Sequence, residues 1–163
     1  STPETRVGPI PRLPQLATRD LNGVRRTLPD GRLNVLLIAY QRWQQLEADT
    51  WIPALDELER RHQGVSYFEL PVVGQLNALR QRSLDHVMRR GIRRHEMRAR
   101  TLTFYVDAAD FREPLGIPDE EHIAVVLVDI DGLVLWRGSG PHSEATERSL
   151  RAAIHGATSR KVH

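Results

Sequence analysis

A cluster of aromatic, amide and carboxylate side chains follows the most apolar stretch of the sequence. The run Asn34–Tyr40 reads as a strand and the residues after it begin a helix, so the cluster lies where the strand ends. Ligands of α/β folds bind at that edge of the sheet, and the first turn of a helix adds unpaired N–H groups with a partial positive charge. We therefore predict a polar-aromatic pocket or contact surface with the binding candidates Trp43, Gln44, Gln45, Glu47 and Trp51. In the alternative interpretation, the two tryptophans pack the sheet edge and the glutamines are solvated residues at the start of the helix.

Two carboxylates could serve as an acid or a base in the same cleft. Glu47 lies in the first turn of the predicted helix, and Glu69 lies near the end of the second predicted strand. Buried carboxylates with a raised pKa are sometimes acid or base catalysts. A single carboxylate of this kind, whether Glu47 or Glu69, does not specify a reaction.

A basic segment is the second candidate for binding. His86 to Arg100 holds six arginines and one acidic residue, Glu96. Guanidinium groups there could bind phosphate, anionic lipid at a membrane periphery or an acidic protein surface. The segment has no aromatic residue to stack on a base, which makes nucleic acid an unlikely partner. A solvated basic loop is the alternative, because 22 of the 23 basic residues of the whole chain are arginine. The patch candidates are Arg89, Arg90, Arg93 and Arg94.

The residues for metal binding or nucleophilic catalysis do not form recognisable patterns. The chain has seven histidines without a His-x-x-x-His pair, and it has no cysteine. Ser139, His142 and Asp131 are close in sequence, but no Gly-x-Ser-x-Gly elbow accompanies them. We therefore predict no metal and no cofactor.

The composition is that of one globular domain. The chain has 163 residues, of which 40% are hydrophobic and 27% charged, with a net charge of +2. Its longest apolar run is six residues, far below the roughly 20 that a membrane helix needs. The absence of cysteine excludes disulfides and thiol chemistry within the chain. The compartment stays open between the bacterial cytoplasm and a membrane reached through a removed N-terminal segment, and the oligomeric state is open too.

The elements that must position these residues alternate between strand and helix. Turn signals at 20–24 and 29–31 indicate an N-terminal hairpin, and Asp131-Gly132 indicates a second one near the C-terminus. The predicted strands between and around them are 34–40, 65–73, 102–107, 123–130 and 133–138, and the predicted helices are 46–62, 75–90, 108–115 and one from a cap at Ser143 to about Gly156. The fold class is therefore α/β, with a central mixed sheet between helices on both faces and an N-terminal β-hairpin extension. We expect a flexible proline-rich arm at 1–17, one domain at 18–157 and a disordered tail at 158–163.

Three local motifs accompany this order: Asp20-Leu21-Asn22-Gly23 before a strand, the helix Trp51–Leu58 with Pro53 inside it, and the hairpin Val126–Trp136. With these motifs the chain resembles the thioredoxin-like superfamily, a three-layer sandwich, in its extended peroxiredoxin-like (AhpC/TSA-like) form. The resemblance implies that Gln45 and Ala48 occupy the positions of the two redox cysteines. It also implies that Ile123 occupies the position of the family's cis-proline. A cis bond before a residue other than proline costs about 2.5–4 kcal/mol, so we expect a trans bond there.

A narrower resemblance covers about fifty residues of the C-terminal half. Phe111-Arg112, Leu115-Gly116-Ile117, Val126–Asp129 and Leu135–Gly138 resemble the mitochondrial ATP-synthase assembly factor family. Members of that family are thioredoxin-like proteins that act in assembly and are not established as redox enzymes. The resemblance implies a non-enzymatic helper.

Together these features predict a cysteine-free, redox-inactive thioredoxin-like protein. It would act as a binding, chaperone-like or assembly module on a protein partner, through the degenerate active-site edge. The alternative is a thiol-independent enzyme of the peroxiredoxin-like group that uses Glu47 or Glu69 in the same cleft.

Overall fold

A computed structural model describes residues 10–74 and 95–161 of the chain. Five strands form one mixed sheet in the order β5-β4-β3-β6-β7, and two strands form a separate hairpin. The hairpin strands are β1 (Leu16–Arg19) and β2 (Arg25–Leu28). The sheet strands are β3 (Leu33–Ala39), β4 (Val65–Val73), β5 (Phe104–Tyr105), β6 (Ala124–Val128) and β7 (Val134–Ser139).

Helices connect these strands and cover the sheet. They are α1 (Gln45–Arg61), which a single 3-10 turn at Arg42–Gln44 precedes, α2 (His95–Arg100), α3 (Ala108–Leu115) and α4 (Glu144–Lys161). Ser143 caps α4 as expected, since its hydroxyl accepts the N–H of Thr146 at 3.1 Å. None of the described helices is both long and apolar enough to cross a membrane.

The core has two halves, one on each face of the sheet. β3 is buried on both faces, which explains why its sequence is apolar apart from Asn34. Val35 and Leu37 pack with α1 and α4, whereas Leu36 and Ile38 pack with α3 and the N-terminal segment. The predicted fold class is confirmed: a mixed sheet lies between helices on both faces, and the hairpin precedes it.

The strand directions bring two loops to one edge of the sheet. β3 and β4 are parallel, and β6 runs antiparallel to β3 with Ala124 opposite Ile38. The C-terminal end of β3 and the N-terminal start of β6 therefore lie side by side. The start of α1 and the loop that leads into β6 meet at this edge, which is where the sequence places its main candidate site.

The first and last described segments both contact the core. The N–H of Leu13 donates to the carbonyl of Gly132 at 2.7 Å, and the Leu13 side chain is buried. Leu13 therefore packs on the domain, within the segment 1–17 for which the sequence predicts a flexible arm. The last helix does not end near Gly156 but continues to Lys161, because Ala157 is buried against the core and holds that turn in place.

Between β4 and β5 the structure also differs from the expectation. Residues 95–100 form the short helix α2, which the sequence did not predict, and only Phe104–Tyr105 of the expected strand 102–107 forms β5. The predicted helix at 75–90 lies outside the described residues.

Candidate functional site

Glu47 joins the start of α1 to the loop that leads into β6. One carboxylate oxygen, Oε1, accepts the backbone N–H of Ile123 at 3.0 Å. The other, Oε2, lies 2.8 Å from Nδ1 of His122. The Glu47 side chain is mostly buried, so its bond to the Ile123 N–H is partly shielded from water, whereas its contact with His122 is exposed. The carboxylate therefore acts as a bridge between the two positions at which the family resemblance places the redox loop and the proline loop.

Ile123 supplies a donor that a proline could not. In the described residues the cis peptide bond is Leu28–Pro29, and the bond before Ile123 is trans as expected. Because residue 123 is isoleucine and not proline, its backbone N–H is present. That N–H needs an acceptor, since a buried N–H without one is costly. Glu47 provides that acceptor.

Gln44 is a buried structural residue. Its side chain is fully buried, with Oε1 accepting the N–H groups of Tyr40 at 2.7 Å and Gln41 at 3.2 Å. Its Nε2 donates to the carbonyl of Glu120 at 2.8 Å. The prediction that Gln44 contacts a partner is wrong, and so is the alternative of a solvated helix starter. The amide is buried because it satisfies three backbone groups of two loops.

Arg112 holds the same loop from α3. Its Nε donates to Oε2 of Glu120 at 2.9 Å, and its Nη1 donates to the carbonyls of Ile117 at 3.1 Å and Pro118 at 3.0 Å. Gln44 and Glu47 at the start of α1 and Arg112 in α3 thus fix the loop 117–123 from two separate parts of the chain.

Gln45, which the family resemblance assigns to the first redox cysteine, covers a buried carboxylate. Its Nε2 donates to Oε1 of Glu69 at 2.8 Å and to Oδ1 of Asp49 at 2.9 Å. Burial raises the pKa of Glu69, and Asp49 raises it further, whereas the hydrogen bond from Gln45 and the charge of Arg100 oppose the shift. Glu69 is only 4% exposed, so it is closed off beneath Gln45 and does not line an open cleft.

Trp51 and Ala48 belong to the core. Trp51 is fully buried, its Nε1 donates to the carbonyl of Gly140 at 3.0 Å, and its ring meets His142 edge-to-face at 5.2 Å. The prediction of Trp51 as a binding residue is therefore wrong, because the ring fills the space beneath α1. Ala48, which the family resemblance assigns to the second redox cysteine, is buried in the same cluster.

The accessible part of the edge consists of Trp43, Leu46 and His122. Trp43 is 48% and Leu46 is 72% exposed, and the two are three positions apart in the first turns of the helical segment. The rings of Trp43 and His122 meet edge-to-face with centroids 6.3 Å apart. We call these three side chains the Trp43 surface.

Next to the Trp43 surface, a groove of about 450 Å³ runs along the edge. It is lined by 116–119, 122–124 and 137–139. His122 is common to the groove and the Trp43 surface, so the two are continuous.

His122 was not among the predicted site residues. The hydrogen bond to Glu47 raises the pKa of His122, as do the charges of Glu47, Glu121 and Asp119, against a small opposing effect of burial. The signal that could have found it is its place directly before Ile123. Arg112 carried no functional signal, since its role depends on loops far away in the sequence.

The described part of the basic segment is structural. Arg100 forms a two-pronged ion pair with Glu59 and donates to the carbonyl of Tyr67 at 3.0 Å, while Glu59 accepts the N–H of Tyr67 at 3.0 Å. The pair thereby provides hydrogen-bond partners for the N–H and the carbonyl of Tyr67 on the outer edge of β4, a position that β5 does not reach. A solvated loop is therefore the wrong description of this end of the segment. The patch candidates Arg89, Arg90, Arg93 and Arg94 lie outside the described residues.

Metal ligation finds no support within 10–74 and 95–161. No group of three or more histidine, aspartate or glutamate side chains converges there in a way that could hold a metal ion.

Solved structures similar to this chain are thioredoxin-like proteins. The exposed lipoprotein thioredoxin of Streptococcus pneumoniae has a TM-score of 0.55 at 14% identity, over 87% of this chain and 99% of that one. The thioredoxin domain of a thiol-disulfide oxidoreductase from Bacteroides vulgatus has a TM-score of 0.55 at 13% identity, over 90% and 98% of the two chains. A thiol:disulfide interchange protein from Chlorobium tepidum has a TM-score of 0.54 at 13% identity, over 91% and 99%.

The comparisons establish the fold. No family model matches the sequence, and no curated protein does. At these identities the shared architecture is thioredoxin-like, and the activity of the similar proteins does not transfer with it. The cysteine-free chain differs from thiol:disulfide interchange proteins in the residues on which thiol exchange depends.

Proposed function

We propose that this thioredoxin-like chain is a redox-inactive binding module, with a chaperone-like or assembly role, that contacts a protein partner through the Trp43 surface. The observation that carries the proposal is an exposed tryptophan and an exposed leucine beside a loop fixed by buried hydrogen bonds. Thiolate is the nucleophile of disulfide exchange, and Gln45 and Ala48 have none to offer.

The Trp43 surface has the chemistry of a protein contact. Tryptophan is among the residues that contribute most at protein interfaces, and its truncation there commonly costs about 2 kcal/mol or more of binding free energy. A loop that is already held in position loses little further freedom on binding. The hydrogen bonds of Glu47, Gln44 and Arg112 provide that rigidity.

The finer family assignments belong to the same proposal. The N-terminal hairpin β1-β2 ahead of β3 supports the extended, peroxiredoxin-like form. A binding surface where the redox positions are lost supports a helper role of the kind found in the ATP-synthase assembly factor family.

The test is affinity capture by the immobilised chain, followed by identification of the partner and measurement of its Kd. We expect Trp43→Ala to weaken that partner at least tenfold, which corresponds to about 1.4 kcal/mol. Ile130→Ala is the matched control, because Ile130 is an exposed apolar side chain beyond the opposite end of β6. Equal retention of the partner by Trp43→Ala and by the unmodified chain would remove the Trp43 surface from the proposal.

A second candidate function rests on the pairing of Glu47 with His122. Because Glu47 occupies Nδ1, the other ring nitrogen, Nε2, is the one that an incoming group would meet. A carboxylate that orients an imidazole in this way is suited to proton transfer. The alternative function is therefore a thiol-independent enzyme with His122 as base and Glu47 as its positioning residue.

Turnover of an ester and amide substrate panel tests this alternative. A rate that rises with pH and is lost in both His122→Ala and Glu47→Ala would support it. A rate unaffected by His122→Ala would exclude it.

A further inference from the structure

We propose that the segment bound at the Trp43 surface carries a basic side chain, arginine or lysine, next to an aliphatic residue. The cation would lie on the face of Trp43 between carboxylates, and the aliphatic side chain would pack on Leu46. This inference rests on the proposed function and adds the chemical class of the partner.

The charges around the Trp43 surface are mainly acidic. Asp119 and Glu121 are exposed in the loop next to His122, and Asp49 is exposed one turn after Gln45. Their negative charge is felt at the surface itself, since Asp119 and Glu121 both raise the pKa of His122. The partial positive charge of the helix N-terminus is offset by Glu47 in the first turn of α1.

The nearby cations Arg42 and Arg137 offset part of this charge, but they are fewer than the three acidic residues Asp49, Asp119 and Glu121. Arg112 is paired with Glu120 at 2.9 Å, so it neutralises that carboxylate and no other. Arg42 is exposed next to Trp43 in the chain. Arg137 lies on the far wall of the groove, where its guanidinium covers Gly116 so closely that a Cβ there would be 2.7 Å from Nη1.

Trp43 makes this negatively charged surface a specific site for a cation. A cation over the face of an indole is attracted by the ring, and tryptophan is the strongest aromatic partner for it. The edge-to-face contact with His122 fixes the indole at 6.3 Å between centroids, while about half of the side chain stays exposed. Leu46, on the next turn, then offers an apolar contact beside the cation.

Three synthetic peptides of equal length test the inference. The first alternates leucine and arginine, the second has citrulline in place of arginine, and the third has glutamate there. Citrulline keeps the size and most hydrogen-bonding groups of arginine but lacks its charge. The measurement is the Kd of each labelled peptide by fluorescence anisotropy, at low and at high salt.

We expect the arginine peptide to bind about tenfold more tightly than the citrulline peptide, and the glutamate peptide to bind most weakly. The double variant Asp119→Asn, Glu121→Gln should reduce the arginine peptide to the citrulline level, and Trp43→Ala should weaken it further. The control is Glu96→Gln, Asp131→Asn, which removes the same charge from exposed positions outside the lining of the groove and the Trp43 surface. This control should retain the preference.

The outcomes separate the two proposals. Equal binding of the arginine and citrulline peptides, still lost in Trp43→Ala, would overturn the basic partner and leave the Trp43 surface as a binding site. Binding of the arginine peptide that survives Trp43→Ala would overturn both. Failure of all three peptides to bind would overturn the proposal of a basic partner. The affinity-capture experiment with Trp43→Ala would then be the remaining test of the binding function.

Discussion

The carboxylate of Glu47 accepts the backbone N–H of Ile123 at 3.0 Å, across 76 residues of sequence. In the family resemblance, these two positions belong to the redox loop and to the cis-proline. In this chain one position holds an acid and the other a backbone donor, and each satisfies the other. The edge of the sheet is thus a fixed structural junction, and the Trp43 surface lies exposed beside it.

Ile123→Pro is expected to destabilise the protein by about 3 kcal/mol or more, because it removes this N–H, leaves Oε1 of Glu47 without its partner and replaces a buried side chain. Chemical denaturation measures the change in the free energy of unfolding. Ile123→Val is the control, since it keeps the N–H and should cost only about 0.5–1.5 kcal/mol. Equal losses in the two variants would mean that the hydrogen bond contributes nothing.

Gln44→Ala should cost about 2–3 kcal/mol of unfolding free energy, because two backbone N–H groups and the Glu120 carbonyl lose their partner in a buried place. Gln63→Ala is the matched control, since Gln63 is exposed, and it should change stability by less than about 0.5 kcal/mol. Thermal and denaturant unfolding of the two variants should give the same ranking. A Gln44→Ala protein as stable as the control would contradict the loop anchor.

Glu69 should make the protein less stable as the pH rises. Its pKa is raised in the folded state, so the folded protein binds the proton more tightly than the unfolded chain does. Stability is therefore expected to fall as the pH rises from about 4.5, the unfolded value, through the raised folded value. In Glu69→Gln, which keeps an acceptor for Gln45, this slope should disappear and the protein should be more stable at neutral pH. The check is the free energy of unfolding from pH 4 to 8, with Glu113→Gln, at an exposed carboxylate, as the control.

His122 contributes to stability in the same pH direction as Glu69, starting from its higher unfolded pKa near 6.5. Glu47 raises its pKa, so the stabilisation is present below the unfolded value near 6.5 and is lost as the pH rises through the folded value. NMR titration of the His122 ring should show its pKa falling towards 6.5 in Glu47→Gln. Glu144→Gln serves as the control, and it should leave the His122 titration in place. An unchanged His122 titration in Glu47→Gln would disprove the contact.

Local sequence patterns predicted most elements well. The bounds of β4 at Val65–Val73 and of α3 at Ala108–Leu115 agree with the expectation, because apolar runs and a cap at Asp107 are local signals. The short helix α2 was missed because its position depends on Arg100 reaching Glu59, 41 residues away. The sequence predicts an end of the last helix near Gly156, because glycine commonly ends helices, whereas the buried Ala157 lies in a helix that continues to Lys161.

The sequence by itself determined the α/β fold class, the absence of a thiol and the place of the candidate edge after Tyr40. The tertiary structure decided which of its side chains remain accessible: Trp43 is exposed, whereas Gln44 and Trp51 are buried and Gln45 covers Glu69. The physical reason is that local sequence patterns and tertiary contacts act over different distances along the chain. Periodicity and turn chemistry act over a few residues, but the burial of a polar group depends on partners such as Glu120 and Gly140, which only folding brings within hydrogen-bonding distance.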